Sequence, residues 1–353
     1  MGFKHYEKTE LSIMLDMLLV LLILSGISFY YYGIRALIVI FISVAVCWLT
    51  DFICIVIRKS KYSIRDISSI ITGLVLALMM PASVPYRIVI VAAVFSIVIG
   101  KQAFGGHKCE IFNSAAVGFL FVSICFADNV FMYPKPFDTL TAASTVTNEL
   151  SEALSETVII SSVPNISFID ILLGKFCGPM GATHVMILLV AALFLILRRS
   201  VSAIVFFTET ISVLAFSFFY NNMQVDLLPY TLGGDMLLFG IIFLSCDYST
   251  VPKTRSSRFL YGLIVGLMII LFQYFGKAGT AIVFAVIIAA PFGIELDRRA
   301  LSFAKMLNKN KGSLSLAKKI FNKPLHYINE TITLLERDDK TDEKRTKTEK
   351  KNK

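Results

Sequence analysis

Four unbroken apolar runs, residues 11–32, 36–57, 181–197 and 258–275, do most to limit what this chain can become. A bilayer core takes about 20 apolar residues per helix, and these runs are of that length. Only 17% of the 353 residues are charged against 56% hydrophobic, with a mean hydropathy of +0.72. Soluble domains carry about 25% charged residues, so the composition argues against a soluble enzyme. The net charge of +9 suggests a nucleic-acid partner until it is located. Residues 298–353 hold 16 Lys/Arg and 7 Asp/Glu, whereas residues 1–297 hold 18 of each. The excess belongs to a basic tail, and no nucleic-acid partner is expected.

The hydropathy pattern predicts an all-α polytopic membrane protein with about ten spans. They lie near 11–32, 34–57, 66–80, 86–100, 114–127, 181–197, 201–220, 235–250, 258–275 and 279–296. The third, fourth, fifth and eighth are short or interrupted by Gly and Pro, which points to broken or re-entrant helices. The first span has no small-residue cleavage site after it and reads as a retained anchor. With the N-terminus inside, cytoplasmic segments before the tail hold 13 basic residues and outer loops hold 5 (Arg35, Arg87, Lys135, Lys175 and Lys277). That asymmetry predicts cytoplasmic N- and C-termini. The one long loop, 128–180, then lies outside; loops of this length are usually functional.

An internal echo accompanies this topology. Gly73 opens GLVLALMMPASVP and Gly240 opens GIIFLSCDYSTVP, with Pro85 and Pro252 at the matched place, an offset of 167. Five spans separate the copies, so the second half is expected to be inverted in the membrane. Such inverted repeats place working sites near the midplane, at broken helices. The expected divisions are 1–127 for the first five-helix repeat, 128–180 for the outer loop, 181–300 for the second repeat and 301–353 for the tail. In the tail, Phe303, Met306, Leu307, Leu314, Leu316, Ile320 and Phe321 among lysines suggest a helix resting on anionic headgroups. From Glu336 onward the tail is charged and expected to be disordered.

Polar residues inside the spans need separate weighing, because a charge at the bilayer centre costs about 2.5–3.5 kcal/mol on insertion scales. Asp247 stands at the interrupted end of the eighth span and Glu209 within the seventh. For Asp247 a Na⁺ or H⁺ relay and a structural hydrogen bond both stand; for Glu209 the structural reading is preferred. The six cysteines occur singly and form no CxxC pair, so no zinc or iron–sulfur ligand set is read from them. His107 and His184 fall on opposite sides by topology and cannot share a metal.

Three blocks, residues 71–116, 172–199 and 233–262, carry a resemblance to a known family. In order and spacing they resemble the D subunit of the Rnf electron-transport complex and the B subunit of the sodium-pumping NADH:quinone oxidoreductase. With the spans between them they cover about residues 10–300. The resemblance implies a bacterial plasma-membrane component of a redox-driven ion pump that assembles with other membrane and peripheral subunits. It implies an FMN joined by a phosphoester to a hydroxyl in the long outer loop, installed by a flavin transferase, and leaves room for a second, non-covalent flavin. The family's attachment pattern is Asp, two residues, Ser or Thr, Gly, Ala, then Thr. Here the loop reads Asp138-Thr139-Leu140-Thr141-Ala142-Ala143-Ser144, so Asp138 and Thr141 match, Ala142 replaces Gly and Ser144 takes the acceptor's place. Gly181-Ala182-Thr183 spells the end of the same pattern, but Cys177 and Met180 stand where Asp and Ser/Thr belong. Thr183 is therefore expected to be a helix N-cap or a flavin-pocket residue, the weaker acceptor of the two. Other departures are His107-Lys108-Cys109-Glu110 after Phe-Gly-Gly and Asp247-Tyr248 where the family has Asp-Pro. A secondary transporter or channel, and a flavin-free scaffold within the same complex, are the alternatives.

Overall fold

Residue 33 sets the first hairpin. In the computed structural model, α1 (Glu10–Tyr32) ends at Gly33, whose φ of +69° lets its N–H close on Phe29 O at 2.8 Å before α2 (Ile34–Ile57) turns back. Glycine takes that left-handed conformation without steric cost. The structure describes residues 10–59, 67–106, 110–134, 136–137, 168–174, 176–220, 233, 236–275 and 278–309. The chain divides at Arg298/Arg299 into two units, and the second is described only over its helical start to Lys309. The proposed headgroup helix beyond that point, and the acceptor segment 138–144, lie outside the described residues.

Every expected span carries helix. After α2 come α3 (Ser68–Met79), α4 (Tyr86–Phe95), α5 (Ser114–Cys125), the short α6 (Ala127–Val130) and α7 (Phe168–Leu173), and then α8 (Val185–Leu197). They are followed by α9 (Ala203–Tyr220), α10 (Leu237–Gly240), α11 (Arg255–Tyr274) and α12 (Ala281–Lys309). Among the described residues, four helical stretches are long and apolar enough to cross a membrane: Glu10–Tyr32, Ile34–Ile57, Tyr86–Phe104 and Arg255–Tyr274. Four more are apolar but shorter. Two boundaries differ from expectation. The sixth span begins as helix only at Val185, because 176–184 is buried non-helical chain. The last helix continues past 296 to Lys309, carrying Pro291 inside it.

Interruptions fall where the sequence is punctuated. α3 stops at Met79 because Pro81 cannot continue it and biases Met80 to the extended backbone it adopts (ψ 159°). α4 widens into a π-turn over Ser96–Lys101, and α10 does so over Ile241–Ser245. Such π-turns recur at functional sites. α3 from Thr72 to its end, and the whole of residues 236–246, are buried, so the two interrupted segments form the centre of the molecule. Irregular backbone at membrane depth is tolerated only when protein covers it, which is what the surrounding helices do. Their outward faces are apolar: Phe41 and Ile57 are each 73% exposed, and Trp48, Phe207, Ile211 and Phe219 also face out. Large apolar side chains exposed in such numbers suit lipid rather than water.

Polar contacts between helix ends sort into two groups. At one end, Arg58 meets Gln102, Lys101 meets Ser68, Asp16 meets Arg198, Asn113 meets Asp247, and Asp297 accepts from the Lys253 and Thr254 N–H groups. At the other, Arg35 donates to Ser83 O, Ser28 to Met180 O and Tyr31 to Leu173 O. We refer to these as the Lys101 end and the Thr183 end.

Candidate functional site

At the Thr183 end, the break after α3 leaves carbonyls without helical partners. Residues 180 and 181 fill the gap: Met180 N donates to Met80 O at 3.2 Å and Gly181 N to Leu78 O at 2.8 Å. The approach demands glycine at 181, since a Cβ there would lie 2.7 Å from Leu78 Cβ and 3.0 Å from the Phe239 ring. Ser28 on α1 closes the other side by donating to Met180 O. This backbone pairing holds residues 176–184 in the interior although they form no helix.

The pairing carries Thr183 and His184 into a buried polar cluster. Thr183 is wholly buried and its Oγ1 makes no hydrogen bond; His184 is 1% exposed with neither ring nitrogen paired. The Tyr32 hydroxyl faces Thr183 without closing a hydrogen bond and is also unpartnered. Thr183 is not the N-cap. That position is His184, which makes no side-chain cap. Around these groups stand aromatic faces. Tyr31 lies 4.3 Å from the His184 ring and 4.6 Å from the Phe137 ring, and Phe137 N donates to Tyr31 O at 2.9 Å. Buried polar atoms are nearly always hydrogen-bonded, so four orphaned ones in a single cluster require an explanation. Phe137 immediately precedes Asp138, so the chain enters the candidate attachment segment from this aromatic wall. Hydroxyl and imidazole groups beside flat ring faces fit the polar edge and the plane of an isoalloxazine. Ser144, Asp138 and Thr141 lie outside the described residues.

Besides Asp297, the Lys101 end holds Asp247, Asp51 and Asp16. Asp247 is half-buried just past the π-turn, and its Oδ2 accepts from Ser249 Oγ at 2.8 Å and Asn113 Nδ2 at 3.3 Å. Asn113 also caps α5, its Oδ1 accepting from the N–H groups of Ala115 and Ala116. Asp51 and Lys101 form a buried ion pair, to which Ser68 and Gln102 add hydrogen bonds. Asp16, 5% exposed on α1, takes both Nε and Nη2 of Arg198 and the hydroxyl of Ser200. The sequence gives no role to Asp16 or Asp51, and Lys101 enters there only as one of the 13 basic residues of the cytoplasmic segments. The available signal was a lone carboxylate within an apolar run, which both aspartates provide.

Glu209 lies deeper, wholly buried on α9, with Oε1 accepting from Ser245 Oγ at 2.8 Å and Oε2 unpartnered. The five described cysteines are outside any disulfide; Cys47, Cys177 and Cys246 are buried and Cys125 is exposed.

These features define an all-α, multi-pass membrane protein with broken central helices, a buried ion pair at one end and an unsatisfied polar cluster at the other. The chain belongs to the NQR2, RnfD, RnfE family, which it matches over residues 2–298. It is 25% identical over 322 residues to the D subunit of the ion-translocating oxidoreductase complex of Actinobacillus succinogenes, covering 81% of this chain and 90% of that protein. It is 27% identical to the D subunit of the Na(+)-translocating ferredoxin:NAD(+) oxidoreductase complex of Acetobacterium woodii (75% and 81% covered). To the D subunit of the ion-translocating oxidoreductase complex of Methanosarcina acetivorans it is 26% identical (72% and 77% covered).

Proposed function

We propose that this chain is the D-type membrane subunit of an ion-translocating oxidoreductase complex, carrying FMN covalently on Ser144 and coupling electron transfer to Na⁺ or H⁺ movement. The observation that carries this reading is the orphaned cluster of Tyr32, Thr183 and His184 beside Phe137, one residue before the attachment pattern. Family membership and the names of the relatives support the wider assignment. In this reading the Thr183 end faces outward, both termini are cytoplasmic, and the two inverted five-span halves enclose the site.

Bound FMN supplies redox chemistry that accepts and releases electrons singly or in pairs. The protein's own groups do the rest. Ser144 anchors the phosphate, and the small residues Ala142 and Ala143 leave room for a transferase to close around an extended segment. Tyr31 and Phe137 offer ring faces against which a flat aromatic plane stacks. Tyr32 and Thr183 can each donate or accept a hydrogen bond, and His184 can do so through either ring nitrogen, so the three can satisfy a mixed donor–acceptor edge. Burial of residues 176–184 excludes water from that edge.

In-gel flavin fluorescence after denaturation, with peptide mass mapping, tests the assignment. A fluorescent band whose FMN adduct maps to residues 138–149 supports it. A non-fluorescent band from cells that contain the transferase returns the chain to a flavin-free scaffold.

A further inference from the structure

Glu209 is a buried carboxyl with no cationic partner among the described residues. It sits six residues into α9, wholly buried, and no cationic side chain pairs with it. One oxygen accepts from Ser245 at 2.8 Å and the other has no partner. On α11 stands Tyr261, also wholly buried, whose hydroxyl has no partner and lies within electrostatic reach of Glu209, Cys246 and Asp247. The helices are brought together by small residues: a Cβ on Gly262 would strike Thr208 Oγ1, and one on Gly266 would lie 2.5 Å from Ser212 Cβ. Arg258, one turn below Tyr261, turns away and donates to Pro252 O at 2.7 Å. The groups around Glu209 are therefore Ser245 and Cys246 from the α10 side and Tyr261 from α11, with Asp247 beyond them.

A carboxylate sealed in apolar protein without a cation is costly, and a proton removes that cost. Two unsatisfied oxygens, one acidic and one phenolic, provide a place for it: on rotation of either side chain the acid form can donate from Oε2 and the carboxylate form can accept from the Tyr261 hydroxyl. Access is built in as well. Ser245 ends the π-turn, and two residues further on the half-buried Asp247 stands at the Lys101 end. Ser245 donates to Glu209, and because a serine hydroxyl donates and accepts at once it can relay a proton to or from that carboxyl without a net change of its own.

We propose that Glu209, Ser245 and Tyr261 form an exchangeable proton-binding site inside the membrane, opening to the Lys101 end through Asp247. This deepens the proposed ion-coupled function and rests on it only for the use made of the proton.

The test uses the assembled complex in native membranes and an apolar carbodiimide, dicyclohexylcarbodiimide. The O–H of a protonated carboxyl adds across the reagent's C=N bond, and the product rearranges to a stable N-acylurea with no atom lost. The expected result is an adduct on the Glu209 peptide that declines as the medium is made alkaline and is unaffected by sodium at constant pH. Glu209→Gln, which keeps shape and neutrality, should assemble and lose the adduct. Tyr261→Phe should keep the adduct to higher pH, because the carboxylate loses its donor. An absent adduct in intact complex, a yield independent of pH, an unchanged profile in Tyr261→Phe, or protection by sodium would each overturn the site. Ion transport is read separately. An unlabelled Glu209 in a pumping complex removes this site and leaves the proposed function, whereas a pH-dependent adduct without pumping keeps the site and removes that function.

Discussion

Lys101 and Asp51, fifty residues apart in sequence, meet at 3.0 Å with side chains only 1% and 3% exposed. Lys101 is able to reach because the π-turn ending at it shifts its side chain inward, between the end of α2 and the start of α3. Gln102 donates to the second Asp51 oxygen and is itself held by Arg58 at 2.8 Å. The pair thus joins three consecutive helices, α2, α3 and the widened end of α4. Similar reasoning applies to Asp16, through which α1 is fastened to the turn between α8 and α9.

Breaking one side of the Lys101–Asp51 pair should destabilise strongly, by about 3–5 kcal/mol, because it leaves a buried charge uncompensated. Lys101→Met or Asp51→Leu should lower the yield of folded protein in membranes and its thermal midpoint in detergent. The double variant should recover most of the loss, since replacing both partners with apolar groups removes the uncompensated charge. A double variant no better than the worse single one would show that the network of Ser68, Gln102 and Arg58, rather than the pair, holds this end.

The two ends should lie on opposite sides of the membrane. Reporters fused after Lys101 and after Arg199 are expected inside, and one placed near Glu152 outside, as the 13-to-5 basic asymmetry requires. Protease protection or labelling of single cysteines reads the same question. A 198–199 turn found outside would overturn the topology and the inverted repeat with it.

The orphaned cluster gives a prediction that depends on flavin. Thr183→Val replaces an unpaired buried hydroxyl with a methyl of nearly equal size. In protein made without the flavin transferase it should be neutral or stabilising, because an unsatisfied buried group costs about 1–3 kcal/mol. In the flavin-loaded protein the same change should lower the thermal midpoint while leaving the covalent adduct in place. A variant that behaves alike in both forms would place the flavin elsewhere.

Asp247→Asn should keep assembly and flavin content but reduce coupled ion movement, since an amide can still accept from Asn113 or Ser249 and cannot titrate. Transport in vesicles, measured beside electron-transfer rate, separates the two effects. Normal coupling in the variant would make Asp247 a structural link between α5 and the turn after α10.

Much of the architecture was legible in the sequence because apolar length and Gly/Pro punctuation are local signals. Pro81 marked the break after α3, and the short eighth span was correctly expected to be interrupted. The cluster at the Thr183 end was only partly legible. Gly181 and Thr183 attracted notice, but nothing local says that Gly181 pairs with Leu78 across a hundred residues or that Tyr32 faces Thr183. Partnership between distant residues is a property of packing. The same reason hid the ion pairs: Lys101 reads as a loop cation until the π-turn that buries it is seen. Glu209 reads as structural from its place in a span, and its unpaired oxygen is visible only once the helices are packed.

The central claim is that Ser144 carries FMN, and mass mapping of the flavin-bearing peptide from wild type and Ser144→Ala tests it most directly. The account predicts an FMN adduct on a proteolytic peptide spanning residues 138–149, absent in Ser144→Ala and retained in Thr183→Ala. An adduct on Thr183, or none on either residue in cells with an active transferase, would contradict it.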